Sequence, residues 1–528
     1  MFIDLVNELT CLSRLPMSKS RVQALLGRAS ILLTPYGSLV FCFLGWAVTA
    51  PFSHSAFAMG LCWWGVLLLL VSLQLERPWL EILPFPPLTV LSLHLFLRWE
   101  LGGMLLLLSR NGQADVRVWI DHVADALPIN ALFTSCLLLV SLLNIPLMRR
   151  LPPPDQAGYP SNPSAAHFGR GELLVLTALT GVVAIGYIVV GFFSGTLDRG
   201  AAYLTWAGKF WRPDTLLVSI IRLRDLYYLL LPLLLLRYRR SFGILALFVL
   251  PTIGSIFLSL LLGGRGLLLY PAALLLGGFW IVGCHPKLIR GIVLTLLVAA
   301  MSVVVIAPVA RNTPEFHQSS VVNLGSRLSA ITTGFFQVNP SSAISYVGRD
   351  LYAWSDPYLF REPGISQPPA GGRGLGSLLY LWVPRALMPN RPEINDGHLI
   401  AKEIMGVPNT GLYQGRHVWF PGISLGADLY WRFRWLGVLM GGLVFGLVYA
   451  GFCRLWYLNA DLNQSAYSVI FALFPSTFLQ GPPLRSLSET FWNWFYEFPK
   501  YGILFFAICI FMLGIKRVMP NQRPSEGK

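Results

Sequence analysis

Apolar and polar positions segregate into long blocks along most of this chain. Apolar runs cover 31–50, 56–75, 88–108, 127–147, 173–193, 216–236, 243–262, 267–284, 290–308, 436–453, 464–480 and 501–515. A helix of about 17–25 such residues crosses the hydrocarbon of a bilayer. The expectation is an all-α polytopic membrane protein with about 12 transmembrane helices. One interval breaks the pattern. Between Arg311 and Arg434 the chain carries eleven Lys/Arg, eight Asp/Glu and three of the eight His. The divisions read from this pattern are a lead-in at 1–30, nine helices over 31–308, a polar loop region at 309–435, three helices over 436–515 and a tail at 516–528.

Basic residues orient the spans. Arg14, Lys19, Arg21 and Arg28 precede the first run, which reads as a retained span rather than a signal peptide. Alternating the connections places Glu76–Pro87, Met148–Glu172, Arg237–Arg240, the Lys287/Arg290 turn, the Arg454 turn and the tail on that same side. Short loops rich in Lys and Arg stay in the cytoplasm, so both termini are expected there and the long interval is expected outside. The Pro-rich stretch Leu151–Ala165 reads as an inner linker.

Composition agrees. Only 12% of residues are charged, against about 25% in soluble domains. The formal charge of +15 is dispersed rather than gathered in a stripe, so orientation explains it better than nucleic-acid binding. Seven Cys include no CxxC pair and none falls in the polar interval, which excludes a cysteine metal site there. No GxxxxGK[ST], HExxH or outer DxD motif is present. Neither a metal nor a cofactor is therefore expected.

Charges inside spans are costly and point to function by default. The sixth run holds IIRLRDLYY (Ile220–Tyr228). Either Arg222 and Arg224 lie one to two turns within the helix, with Arg222 pairing Asp225 at i,i+3, or the helix starts later and these groups sit at the interface. Arg98 and Glu100 are two positions apart in the third run and cannot face one another, so each needs a partner on another helix or a wet cavity, and the pair reads as structural. Arg265 opens the eighth run, Arg311 closes the ninth, and Arg432 and Arg434 precede the tenth. With Arg222 and Arg224 they form a ring of guanidinium groups at one depth. Singly, each serves as a helix anchor. As a set they suit an anionic ligand such as a diphosphate, which guanidinium binds bidentately.

Two stretches carry a family resemblance: Val383–Asn395 (VPRALMPNRPEIN) and Phe420–Ala450. Pro384–Arg385, Pro389 and Arg391–Pro392, followed by Asp428, Tyr430, Phe433 and Leu436–Gly437, resemble the bacterial oligosaccharide repeat-unit polymerases of the Wzy type. Asp428 stands where glutamate is common in that group, and Arg434 where a small residue is usual. The resemblance implies a C-type glycosyltransferase-like fold with one large periplasmic loop. It implies metal-independent polymerisation of undecaprenyl-diphosphate-linked repeat units at the periplasmic face of the inner membrane. Membrane lipid, a chain-length regulator and a flippase of the same pathway would be its partners.

Such a transfer needs positive charge where the diphosphate departs and a base for the attacking hydroxyl. Candidates for the first are Arg222, Arg224, Arg265, Arg311, Arg385, Arg391 and Arg416. For the second they are His417, Asp396 and Asp428, with Glu393 and His398 behind them. Competing roles stand beside these: Asp396 as a turn or cap, Asp428 as an i,i+4 partner of Arg432, and the histidines as solvent-facing loop residues. Two other activities fit the same plan. One is an O-antigen ligase-like glycan transferase, and the other a non-enzymatic lipid-oligosaccharide carrier or flippase.

Overall fold

A computed structural model describes residues 54–80, 87–108, 114–141, 170–193, 223–238, 274–279, 324–337, 339–351, 355–362, 365–383, 387–388, 397–406, 412–413, 416–417, 423–459 and 485–497, with single positions at 392 and within 243–250 and 507–514. Most of the other expected spans, the Leu151–Ala165 linker and the residues Arg222, Arg265, Arg311, Arg385, Arg391 and Asp396 lie outside the described residues, as do the side chains of Arg416 and His417.

The described chain is mostly helical. Three helices are long and apolar enough to cross a membrane: Pro87–Leu107, His122–Val140 and Leu425–Arg454. Each overlaps a run expected to span, although the last begins eleven residues before its run at 436, within the stretch expected as loop. Membrane character also shows on their outer faces. Leu436, Leu439, Met440, Val444 and Leu447 are all exposed on the last helix, as is Leu139 on the second. An apolar face of that extent is costly in water and suits hydrocarbon.

Helix α1 (His54–Leu80) runs five residues past the expected span. Glu76, expected in a connection, is instead inside that helix and fully buried. Its carboxylate accepts the amides of Leu88 at 2.9 Å and Thr89 at 2.7 Å. Those amides open α2 (Pro87–Leu95) and have no partner within their own helix. One buried acid thus caps the next helix. Ser72 and Ser92 share a hydrogen bond of 2.6 Å between the same two helices.

The third run continues through a π-helical turn, Phe96–Leu101, into α3 (Gly102–Leu108). Such wide turns gather at functional places, and this one holds both charges of the span, Arg98 and Glu100. Glu100 is buried against Gly65 of α1, where an added Cβ would meet its side chain.

Helix α4 (Ala114–Ser141) begins well before the expected residue 127. Asp121, His122 and Asp125 occupy its early turns, and Pro128 lies inside it. Trp64 of α1 donates to its Ser135 at 2.7 Å. Helices α5 (Arg170–Phe193) and α6 (Leu223–Arg237) follow and pack together.

The interval expected as a loop has structure of its own. It contains α7 (Leu324–Gln337) and α8 (Pro340–Leu351). Helix α8 lies against α3 with backbones in close approach: a Cβ on Gly348 would sit 3.0 Å from the Leu106 nitrogen and 3.1 Å from the Gly102 oxygen. A 3₁₀ turn (Asp356–Leu359), a short hairpin of β1 (Phe360–Glu362) with β2 (Ile365–Ser366), and α9 (Gly397–Glu403) continue the interval. A second hairpin pairs β3 (Leu412–Tyr413) with β4 (Arg416–His417).

Helix α10 (Leu425–Asn459) is broken at Arg434, whose backbone has φ 58° and ψ −154°. The two limbs fold back on one another. Gly437 and Gly441 pack on Leu429, eight and twelve residues earlier, where an added Cβ would come within 2.6 Å or less of its atoms. A straight helix would separate positions eight apart by about 12 Å. The second limb then descends along α4, with Gly442 on Cys136 and Phe133 and Gly446 on Leu137 and Val140. Further along the same limb, Tyr449 donates to the Pro87 carbonyl at 2.5 Å. Small residues let two membrane helices approach this closely. Trp494, from the π-turn extension (Asn493–Glu497) of the last described helical segment, α11 (Leu487–Trp492), completes the core against Phe445 of α10.

Candidate functional site

The polar interval meets the bundle at the first limb of α10. Ser424 caps that limb, its Oγ accepting the Ala427 amide at 3.2 Å. Serine is favoured at this position because it satisfies a free amide of the first turn. The same hydroxyl donates to Asn130 Oδ1 at 2.7 Å. Asp356, fully buried, accepts the Ser424 amide at 2.8 Å and Asn130 Nδ2 at 3.0 Å. Three residues from three segments thereby close a ring of hydrogen bonds. Burial pushes the Asp356 carboxyl up to about 6, although both hydrogen bonds and the charge of Arg98 favour its ionised form. Asn130 stands at the middle of the apolar run His122–Val140. Irregular backbone at that depth requires a protein surround or a wet cavity.

One turn further on, Asp428 and Arg432 form a fully buried ion pair at 3.0 Å. The second carboxylate oxygen of Asp428 accepts the Leu487 amide at 2.6 Å. Arg432 also donates to the carbonyls of Gly371, at 3.2 Å, and Arg373. Of the two roles open to Asp428, the i,i+4 pair with Arg432 is formed. Every oxygen of the acid is engaged, and its position is internal.

Arg434, at the break, donates to Ser366 Oγ at 2.9 Å and to the Gln367 carbonyl, and its guanidinium lies 5.2 Å from the Tyr430 ring. Backbone bonds from Ala370 to Trp431 and from Gly371 to Arg432 run alongside. Segment 366–374 is thus strapped across the break by two arginines. Gly371 and Gly374 take positive φ there, 55° and 78°, which glycine adopts without steric cost. Arg373 reaches outward to Glu403 of α9 at 3.0 Å.

Arg432 is therefore not a member of an open ring, being 1% exposed with its donors used within the protein. Arg224 lies 3.4 Å from its neighbour Asp225, which is buried; the described part of that helix begins at Leu223. Arg416 and His417 fall together on strand β4. Asp356 and Asn130, the best-connected polar groups of the interface, were not singled out by sequence reasoning. Their partners are 226 and 68 residues apart along the chain, and no local spacing marks them. Among the described residues no group of three His, Cys, Asp or Glu is placed to hold a metal.

No protein-family model, no curated protein and no solved structure matches the chain.

Proposed function

We propose that this chain polymerises undecaprenyl-diphosphate-linked oligosaccharide repeat units into a surface polysaccharide. In this reading it is a multi-pass protein of the bacterial inner membrane. It has about twelve membrane helices on a C-type glycosyltransferase-like plan, both termini in the cytoplasm and its polar interval at the periplasmic face. One observation supports it above the rest: the two stretches that resemble the Wzy-type polymerases, 383–395 and 420–450. The second contains the broken helix to which the polar interval is strapped, so the resemblance falls where that interval joins the membrane bundle.

The reaction joins the C1 carbon of the lipid-linked glycan to a hydroxyl oxygen of the acceptor. The C1–O bond to the diphosphate breaks, undecaprenyl diphosphate leaves, and the hydroxyl proton passes to a base. Arg222, Arg224, Arg265, Arg311, Arg385, Arg391 and Arg416 supply positive charge for the leaving group. His417 and Asp396 are the proposed proton acceptors. Asp428, held by Arg432, is given the role of fixing the strap. A chain-length regulator and a flippase would act beside it.

The test is chain extension in a deletion strain carrying Arg265→Ala, Arg385→Ala or Arg391→Ala, with protein level measured in the membrane. Each variant is expected at normal level with single-repeat products, and lysine should restore little at a bidentate site. Full-length ladders in all three would overturn the proposal. Accumulation of long lipid-linked polymer would instead identify the ligase-like activity.

A further inference from the structure

The polar interval carries an apolar ridge. Just past the strap, Leu375–Tyr380 forms a 3₁₀ helix that starts from Gly374 in the left-handed region. Turn bonds from Leu381 to Leu378 and from Val383 to Tyr380 continue the same winding. With about three residues per turn, positions three apart stack in one row. The row 375, 378 and 381 is all leucine and faces inward: Leu375 packs on the main core, and Leu378 and Leu381 pack on Trp492 of α11. The row 376, 379 and 382 faces away from it. Leu379 is 84% exposed and Trp382 60%, and Leu387 beyond them is 80% exposed. A short helix lying in water would turn a polar row outward, so large apolar side chains there mark a contact surface.

The level of the inner row indicates what covers the outer one. Trp492 lies two residues before Trp494, whose ring contacts those of Phe445 and Phe452, with centroids 5.1 and 6.0 Å apart. Both phenylalanines belong to the second limb of α10, inside the stretch long and apolar enough to cross a membrane. Val444, Leu447 and Val448 of that limb are exposed, and so is Phe495 next to Trp494. The 3₁₀ helix therefore rests on a support seated beside the apolar face that suits hydrocarbon. Charge points the same way. Residues 371–392 include Arg373, Arg385 and Arg391 but no Asp or Glu. Exposed Leu and Trp in a stretch whose charges are all basic suit a membrane interface.

We propose that Leu379 and Trp382, with Leu387, insert among the acyl chains of the bilayer, so that the 3₁₀ segment lies in the membrane interface rather than in water. The occupant is lipid and not a second copy of the chain. Three side chains fall far short of the about 20–30 residues a side of a stable protein interface, whereas acyl chains need no matching surface. The strap across the break in α10 is then held from the membrane side as well as by Arg432 and Arg434. This goes beyond the polymerase reading and needs only that α10 crosses a bilayer. Lipid contact and chain extension can each fail without the other.

The experiment places the photo-crosslinker p-benzoylphenylalanine at Leu379 or Trp382 of the full-length protein, purified into nanodiscs of phosphatidylcholine and phosphatidylglycerol. Irradiation is followed by mass spectrometry of the adducts. Leu439, on the exposed apolar face of α10, is the lipid-facing reference. Lys402, an exposed charged residue of α9, is the water-facing one. Acyl-chain adducts are expected at 379 and 382 in yields like that at 439, with their loss at 402. Both sites are exposed, so the substitution displaces little of the described core; should either variant fail to insert, Leu387 supplies the second position. Adducts between two protein chains would assign the ridge to a second copy, and adducts only within one chain would assign it to the chain's own cover. Either result overturns the proposal, as do lipid yields at 379 and 382 no higher than at 402.

Discussion

Replacing Arg434 by glycine or by alanine tests the break in α10 through a reversal of the usual ranking. Within a helix, alanine is favoured over glycine by about 1 kcal/mol. At Arg434 the backbone has φ 58° and ψ −154°, a region that is nearly exclusive to glycine and costs other residues about 1–3 kcal/mol. Both replacements lose the same contacts: the bonds to Ser366 and Gln367 and the stacking on Tyr430. Those losses cancel in the comparison, which leaves the backbone term. Arg434→Gly is thus expected to be more stable than Arg434→Ala by about 1–3 kcal/mol, with both below the parent. Thermal unfolding of the purified protein in one detergent, followed by circular dichroism, measures the difference. An alanine variant at least as stable as the glycine variant would mean that α10 continues unbroken, and the fold-back of its two limbs would be wrong.

Three further outcomes follow from the packing. Arg432→Met strands the buried Asp428 carboxylate and should cost about 3–5 kcal/mol, with part recovered in the double variant Asp428→Leu/Arg432→Met; a single variant as stable as the parent contradicts the buried pair. Asp356 titrates near 6 when folded against 3.8 for an ordinary carboxyl. The native state therefore holds its proton more tightly, and this group's contribution to stability falls as pH rises from about 4 to 6 and is flat above, by at most about 3 kcal/mol. Asp356→Asn should flatten that window relative to the parent, and parallel stability curves from pH 4 to 7 would exclude it. Gly446→Ala should lose about 1–3 kcal/mol, because its Cβ would come 2.9 Å from Val140 Cβ and 3.0 Å from the Leu137 carbonyl. Gly451→Ala, with nothing within 4 Å among the described residues, should gain up to about 1 kcal/mol from helix propensity, and equal effects at the two sites would refute the close approach.

Hydropathy made the helices at 88–108 and 173–193 legible, because long apolar runs have few other uses. It placed the start of α4 too late because Asp121, His122 and Asp125 occupy its early turns, and a hydropathy window cannot separate a polar helix end from a loop. It missed α7 and α8 for a related reason: their Ser- and Thr-rich sequences read as connection, and what orders α8 is the close contact of Gly348 with α3. The Asp428–Arg432 pair was open to inspection, since four residues on a helix bring two side chains together. The Asp356 ring was not, since its members are joined only by the fold. The bend at Arg434 was equally hidden. Arginine has no preference for that backbone, and the groups that hold it, the Ser366 hydroxyl and the Gln367 carbonyl, lie 68 and 67 residues earlier.

The ring of Asn130, Asp356 and Ser424 also bears on how the molecule is made. Asn130 emerges from the ribosome 226 residues before Asp356 and 294 before Ser424. At about 5–20 residues per second, its amide must wait about 10–45 s inside the bilayer before the first permanent companion exists. Helix α4 therefore enters the membrane with a polar group to shelter in the meantime. A nascent chain stalled before residue 424 is the species on which an insertase or a quality-control protease would act.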